Sequence, residues 1–384
     1  MLLKLLFRNT FRHKLRTGLT VCGISVAILA FGLLRTVIEA WYAGVSASSA
    51  NRLIIRNAIS LVFPLPFSYR DKIRSVEDVR IVSYGNWFGG IYLDKKNFFA
   101  NFAVEGRTYL DLYPEFVTPP DQKERFIRDR KGCIVGRKLA KRFGWKIGDT
   151  IPLMGTIFPG NWQFILRGIY HGRDDTTDET QFFFHWDYLN EMLKKTRPLR
   201  AEKVGFFIIE ITRPEVAART AQEIDRMFKN SPAETLTETE KAFQMGFVSM
   251  SDAILTAIRL VSFVVIVIMM AVVANTMAMS VRERMGEYAV FKTLGFGGPY
   301  IAALILGESE LIAAMGGGAG ILLTFPAAKV FASALGNFIP VFKVTHLTLF
   351  MDLGAAFLVG AVAGVLPIWR ATTVRIAEGL GRMG

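Results

Sequence analysis

The side chains in this sequence with metal or nucleophile chemistry to offer are four histidines, two cysteines and a dense acidic stretch. His13, His171, His185 and His346 are spread along the chain without the spacing of a zinc site. His171 stands close to Asp174, Asp175, Asp178 and Glu179, a charge density that would attract a cation, yet the ligand spacing of a calcium loop is missing and a solvated loop accounts for it. Cys22 lies in an apolar run and Cys133 far outside it, so no intrachain disulfide is expected and each reads as a core thiol. The glycines of GRKLAKRFGWKIGD (136–149) invite a phosphate-loop reading, but the GxxxxGK[ST] spacing that builds a backbone nest is absent. A strand, a short helix and a turn are expected there instead. With no nucleophile, base or metal set in register, no enzymatic role and no directly bound cofactor are assigned.

More informative are groups set in greasy sequence. Glu308 and Glu310 sit within a long apolar stretch, where a carboxylate is costly unless hydrated or partnered. For Glu308 two roles stand side by side, a structural contact between helices and a part in transport coupling. Gly316, Gly317, Gly318 and Gly320 crowd one stretch, and Gly360 and Gly364 repeat the four-residue spacing. Removing side-chain bulk at that interval lets another helix backbone approach where lipid offers no hydrophobic drive. These glycines read as packing faces first and moving surfaces second.

The third informative segment runs from Met279 to Gly295. Arg282, Glu283, Arg284, Glu287 and Lys292 alternate there with Tyr288, Val290, Phe291 and Leu294, and the segment is expected to continue as a helix. A short amphipathic element held between two long apolar runs suits a docking surface, and suits a helix resting on lipid equally well.

Those runs set the context. The 384 residues are 51% apolar and 21% charged, with 46 Lys and Arg against 33 Asp and Glu, a net +13. Residues 18–34, 260–281, 311–328 and 353–369 hold no Asp, Glu, Lys or Arg and extend into further apolar sequence. Each reaches the ~20 residues at 1.5 Å rise that a ~30 Å hydrocarbon layer demands. Four transmembrane helices are expected at about 17–39, 253–281, 300–332 and 350–369. The first, preceded by Lys4, Arg8, Arg12, Lys14 and Arg16, also has the outline of a signal peptide, but its length favours retention.

Charge bias orients these helices. Basic residues precede helix one, fill the loop between helices two and three (Arg282, Arg284, Lys292) and follow helix four (Arg370, Arg375, Arg382), whereas only Lys343 lies between helices three and four. Both termini and the 282–299 loop are therefore expected in the cytoplasm, and residues 40–250 outside. No basic block interleaved with aromatics suggests nucleic acid.

The outside segment alternates strand patterns (Val79–Tyr84, Ile147–Met154, Trp162–Ile169, Val204–Thr212) with an amphipathic helix over Glu215–Phe228. Pro119-Pro120 opens a charged run expected as a loop or solvated helix. The expected fold class is an α-helical membrane protein with four transmembrane helices and a large α+β extracytoplasmic domain between helices one and two. Its parts are a lead-in and first helix (1–39), the external domain (40–233), a stalk (234–252) and the remaining helices with a coupling element at 282–298 (253–384). Residues 234–259 are expected to form one long stalk helix, with Gly246 a break point.

The run VANTMAMSVRERMGEYAVFKTLGF (273–296) resembles the FtsX-like permeases of ABC transporters, matching at Asn275, Arg282, Glu283, Arg284, Glu287, Lys292, Leu294 and Gly295. Asn9, Arg12, Arg16, Thr17, Leu19, Thr20 and Gly23 resemble that family's basic lead-in to helix one. Glu308 with Gly316, Gly317 and Gly320 resembles its third helix, and Gly364, Pro367, Arg370 and Ala371 its closing motif. Val135-Gly136, Leu139-Ala140, Gly144, Gly148-Asp149 and Gly168-Ile169 are similar to its periplasmic core domain. The usual Asp-Pro near the C-terminus is replaced around Val374-Arg375-Ile376, while Glu378 and Leu380 are kept.

The resemblance implies a permease without its own ATPase, since no Walker lysine motif occurs. ATP and Mg would act in a separate cytoplasmic ABC ATPase docked on 282–298, and ATPase closure would be transmitted mechanically to the external domain. It further implies a second permease copy or a related permease, an optional periplasmic adaptor, a lipid, lipoprotein or lipophilic substrate, and a place in the bacterial cytoplasmic membrane. The alternative is a non-transporting scaffold that activates an envelope enzyme outside the cell. A receptor is disfavoured because few residues follow Trp369 to carry a signalling output.

Overall fold

A computed structural model describes residues 2–174, 176–335 and 341–373, with side chains from residue 6 onward and, in the third long helix, as far as residue 332. The expectations for Asp175, for Arg375 and Arg382, and for the tail around Val374 to Leu380 lie outside the described residues. The chain divides into a helical unit (1–40, 251–334 and 342–384) and an α/β unit (41–250 with 335–341).

In the helical unit, four helices are long and apolar enough to cross a membrane. Helix one is Lys14–Trp41, helix two Asp252–Glu283, helix three Gly298–Leu335 and helix four His346–Thr373. A leading helix, Leu2–Thr10, precedes them, and an elbow helix, Met285–Thr293, lies between two and three. Ile24 and Ile28, Met269, Val273 and Met277, Ile301, Ile305 and Ile312, and Ala356, Val359 and Ala363 form one interior. Phe263, Val264, Val267, Ile268 and Val272 are exposed on helix two, an apolar surface that a bilayer solvates.

The α/β unit is built on a mixed sheet. Its strands are β1 (Arg52–Asn57), β2 (Leu65–Pro66), β3 (Val79–Trp87), β4 (Gly90–Ile91), β5 (Asn101–Val104), β6 (Phe116–Val117), β7 (Gly132–Gly136), β8 (Thr150–Gly155), β9 (Gly160–Gly172), β10 (Phe182–His185), β11 (Lys203–Val204), β12 (Phe206–Ile211) and β13 (Thr235–Thr239). The main sheet runs β13-β1-β12-β3-β5-β10-β7-β9-β8-β4, with β6 beside β9, and β11 pairs with β2 apart from it. Most pairs are antiparallel, while β5 with β10 and β7 with β9 are parallel.

Both faces of this sheet are covered. Side chains alternate across a strand, so Leu53 and Ile55, Phe182 and Phe184, and Phe207 and Ile209 enter one layer with Tyr69, Leu139, Trp186 and Ile224 of the covering helices. Ile54, Phe183 and Ile208 enter the other with Tyr109, Leu110 and Phe126. The helix expected over 215–228 forms as Ala217–Met227, with Ile224 buried, and the charged run after Pro119 forms the helix Pro120–Arg128.

A register shift between Cys133 and Ile134 skips Arg167 on β9. This bulge reverses the side-chain parity, so Trp162, Phe164 and Leu166 face one layer while Tyr170 faces the other.

Two expectations on local structure change. Residues 234–259 are not one helix: Thr235–Thr239 pair with β1, where the β-branched Thr235 and Thr237 are buried. Thr239 then caps a separate helix, Glu240–Ser249, through a bond from the Ala242 amide at 3.1 Å, and the chain breaks at Met250-Ser251 before helix two. The 279–295 segment is also two helices rather than one. Arg284 separates them, its side chain drawn into the bundle.

The phosphate-like glycines have packing reasons. A Cβ on Gly136 would lie 2.0 Å from the Glu179 carbonyl oxygen, and Gly144 ends the helix Arg137–Phe143 in the left-handed region at φ 69°. The acidic stretch bonds to its own loop: Asp174 accepts from Thr176 and Thr177, Asp178 from Thr180 and Gln181, and Glu179 from Arg137 and the Gly172 amide. Among the described residues no group of three or more His, Cys, Asp or Glu could hold a metal.

Candidate coupling site

The elbow helix is terminated sharply. Gly295 adopts φ +89°, its amide bonds to the Lys292 carbonyl at 3.1 Å, and the Phe296 amide reaches back to the Phe291 carbonyl at 3.0 Å. This paired bonding is the Schellman arrangement, which only a residue free of Cβ adopts cheaply. Phe291 packs edge-on against Phe296 and Tyr300, with ring centroids 5.8 and 6.3 Å away.

Charged residues around the elbow are tied to the rest of the helical unit. Glu283 takes two bonds from Arg16, at 2.6 and 3.0 Å, with His13 Nε2 at 3.2 Å. Glu287 accepts from Arg12 and, at 3.0 Å, from Arg284 Nε. Arg284 Nη1 donates to Glu308 Oε2 at 2.8 Å, and Ser280 donates to the other oxygen at 3.3 Å. Lys292 Nζ donates to the Thr372 carbonyl at the end of helix four at 3.0 Å. The residues from Glu283 to Lys292 are thereby tied to helices one, three and four by charge-assisted bonds.

Burial sharpens these ties. The Arg284 guanidinium lies 5.3 Å from the Tyr288 ring centroid, a cation over an aromatic face. Burial pushes the Tyr288 hydroxyl up to about 12 against the opposing pull of Arg284. Burial also opposes charge on Glu287, yet the bonds from Arg12 and Arg284 outweigh it and hold this carboxyl below its ordinary range. A cavity of about 20 Å³ beside Glu308, lined by His13, Arg16, Thr17, Thr276 and Ser280, has room for one water molecule.

Arg282 is exposed, as are Val290, Leu294 and Phe296. The expected site residues therefore divide. Arg282 points outward, whereas Glu283, Arg284, Glu287, Tyr288, Phe291 and Lys292 engage the rest of the helical unit. The partners Arg12, His13 and Arg16 and the outward Val290, Leu294 and Phe296 complete the site. The i, i+4 spacing of Arg12 and Arg16, matched by that of Glu283 and Glu287, is the signal that joins these two arginines to it.

The glycines separate in the same way. A Cβ on Gly316 would stand 2.6 Å from Ile24 Cβ, and one on Gly320 2.7 Å from the Ser25 carbonyl oxygen, so both admit helix one. Gly317 faces Ala356 of helix four, where a Cβ would sit 2.5 Å from its methyl group. Gly360 makes room for Glu310 and Ala313 and accepts a 2.6 Å bond from Ser309. Gly364 meets Leu306 and Ile368 only at ordinary contact, 3.6 Å.

Residues 259–376 match the FtsX-like permease C-terminal family. Over 387 aligned residues, 94% of this chain and 92% of the relative, the protein is 22% identical to an uncharacterized ABC transporter permease of Methanocaldococcus jannaschii. Two solved structures align with about half of the chain. One is the extracellular domain of the noncanonic ABC-type transporter YknZ from Gram-positive bacteria (11% identity, 49% of this chain and 100% of that one, TM-score 0.36). The other is a domain described as part of a permease from Porphyromonas gingivalis (12%, 50% and 90%, TM-score 0.33).

Proposed function

We propose, from residues 259–376 as an FtsX-like permease C-terminal domain, that this ABC-permease-type chain is the membrane subunit of an ATP-driven export or envelope-maintenance system. A separate ATPase, carrying ATP and Mg, docks on the cytoplasmic elbow at 282–298. The α/β unit lies on the outer side of the cytoplasmic membrane, and the substrate is a lipid, lipoprotein or lipophilic molecule handled there, with a second permease copy completing the assembly.

One observation carries the reading: Glu283, Arg284, Glu287 and Lys292 are tied to Arg16, Glu308, Arg12 and Thr372, while Val290, Leu294 and Phe296 stand exposed beside them. A helix resting passively on lipid has no need of ties to three membrane helices. A helix that receives a push must be fastened to what it moves, and a push delivered at Leu294 would reach helix three through Arg284 and Glu308. The test is Leu294→Glu combined with Val290→Glu in the full chain. The expected result is loss of ATPase co-purification and of permease-stimulated ATP hydrolysis, with the thermal stability of the permease unchanged. Retention of both activities would show that the ATPase docks elsewhere and that this face meets lipid.

A further inference from the structure

A second polar cluster lies at the other end of the helical unit, where helix one runs on toward the α/β unit in sequence. Arg35 and Glu39 are one turn apart on helix one, with Nη2 and Oε1 separated by 3.7 Å. Asp352 of helix four is fully buried against Gly32, where a Cβ would come within 2.7 Å of Asp352 Oδ2. Glycine at position 32 therefore makes the space that the carboxyl occupies. Thr345 donates to Glu39 Oε2 and so supplies one of that residue's two oxygens.

The cluster is short of donors. Among the described residues, both oxygens of Asp352, Oε1 of Glu39 and Nε of Arg35 are buried without a hydrogen-bond partner. Arg35 and Glu39 both act electrostatically on Asp352. Asp252 and Arg259 of helix two, Lys329 of helix three, Lys343 just before helix four and His346 at its start are exposed. Within the cluster two carboxyl groups share one guanidinium, so the fully ionised trio would carry a net negative charge inside a lipid-facing bundle, where bare charge is least tolerated. A metal ion or an ammonium group needs a cavity, and the Asp352 oxygens are closed off by neighbouring atoms. A proton needs none.

We propose that Asp352 is a proton-binding site of the helical unit, so that Asp352, Arg35 and Glu39 together carry no net charge. On release, which requires helices one and four to part and admit water, the Asp352 O–H bond breaks, the proton passes to that water, and the carboxylate left behind draws Arg35 away from Glu39. The site links proton occupancy to the packing of helix one on helix four. It rests on these helices lying in a bilayer and is independent of ATPase docking at the elbow.

The test is infrared spectroscopy of the full chain in lipid nanodiscs, following the carbonyl stretch of neutral carboxyl groups as pH is varied. A protonated-carboxyl band is expected at neutral pH and is lost in Asp352→Asn. Arg35→Gln removes the cation that favours the carboxylate and should raise the band's midpoint by about one pH unit, whereas Glu39→Gln removes a repelling anion and should lower it by about as much. If Asp352→Asn does not assemble, Asp352→Glu keeps the band and shifts its frequency. A band that survives Asp352→Asn, is lost only in Glu39→Gln, or fails to shift oppositely in the two partner variants overturns the proposal.

Discussion

Arg284 and Glu308 meet at 2.8 Å with both side chains only 6% exposed, joining the junction of helix two and the elbow to the first third of helix three. A buried pair is poor evidence of net stabilisation, but removing one member strands the other. Arg284→Ala or Glu308→Ala alone should each destabilise the helical unit by about 3–5 kcal/mol. The paired replacement Arg284→Met with Glu308→Leu should recover most of that. Reversible unfolding in mixed micelles checks the order, and additive losses would mean that the two groups do not act as a pair.

Gly316 and Gly318 of helix three make a separate prediction with a built-in control. Gly316→Ala forces a methyl group against Ile24 and should cost about 1–3 kcal/mol while separating helices one and three. Gly318 faces open space, so Gly318→Ala should be stabilising by about 0.4–1 kcal/mol through reduced freedom of the unfolded chain. Thermal unfolding of the two variants side by side should show shifts of opposite sign.

The helices that carry these residues are legible in the sequence, because about twenty uncharged residues in a row have few other uses. The strands are legible only in part. Val79–Trp87 and Gly160–Gly172 show alternation, but Leu53, Ile54 and Ile55, like Phe182, Phe183 and Phe184, are apolar without a break because both sheet faces are covered. The bulge at Arg167 leaves no periodic trace. At the coupling site the charged residue types are visible, but their partners are not: Glu283 and Glu287 are half-exposed and bound to Arg16 and Arg12, more than 260 residues away in sequence. Asp352 gives no signal beyond its placement in greasy sequence, since its relation to Arg35 spans the whole external domain.

In the α/β unit His185 is buried and its Nε2–H donates to the Phe126 carbonyl at 2.6 Å. Burial disfavours the imidazolium and holds the ring below its ordinary range, against the Phe126 bond and the nearby carboxylates, which favour it. The unfolded chain therefore binds this proton more readily than the folded one. Stability from His185 should be fully present above its unfolded value, about 6.5, and should fall as pH drops below it toward the lowered folded value. Denaturant unfolding of the full chain, followed by tryptophan fluorescence across that window, should show a weaker slope in His185→Gln. Equal slopes in both proteins would remove His185 from the account.

Arg52 and Glu240 tie the first strand of the α/β unit to its last helix, and the geometry leaves little slack. Arg52 Nε meets Glu240 Oε2 at 2.8 Å, its other nitrogens hold Glu115 at 2.6 and 3.1 Å, and the guanidinium lies 4.2 Å from the Tyr113 ring centroid. The Ser49 amide donates to the same Glu240 oxygen at 2.8 Å. Glu240→Ala should leave Arg52 with Glu115 as its remaining anionic partner and cost about 1–3 kcal/mol, with faster amide exchange over 240–249 and 49–52. Glu240→Gln keeps one acceptor for Arg52 and should fall between the variant and the native chain. The helix Glu240–Ser249 leads in sequence to helix two, so loosening it should also lower permease-stimulated ATP hydrolysis if the elbow receives the ATPase. Unchanged hydrolysis alongside loosened exchange would mean that this tie stabilises the unit without carrying motion.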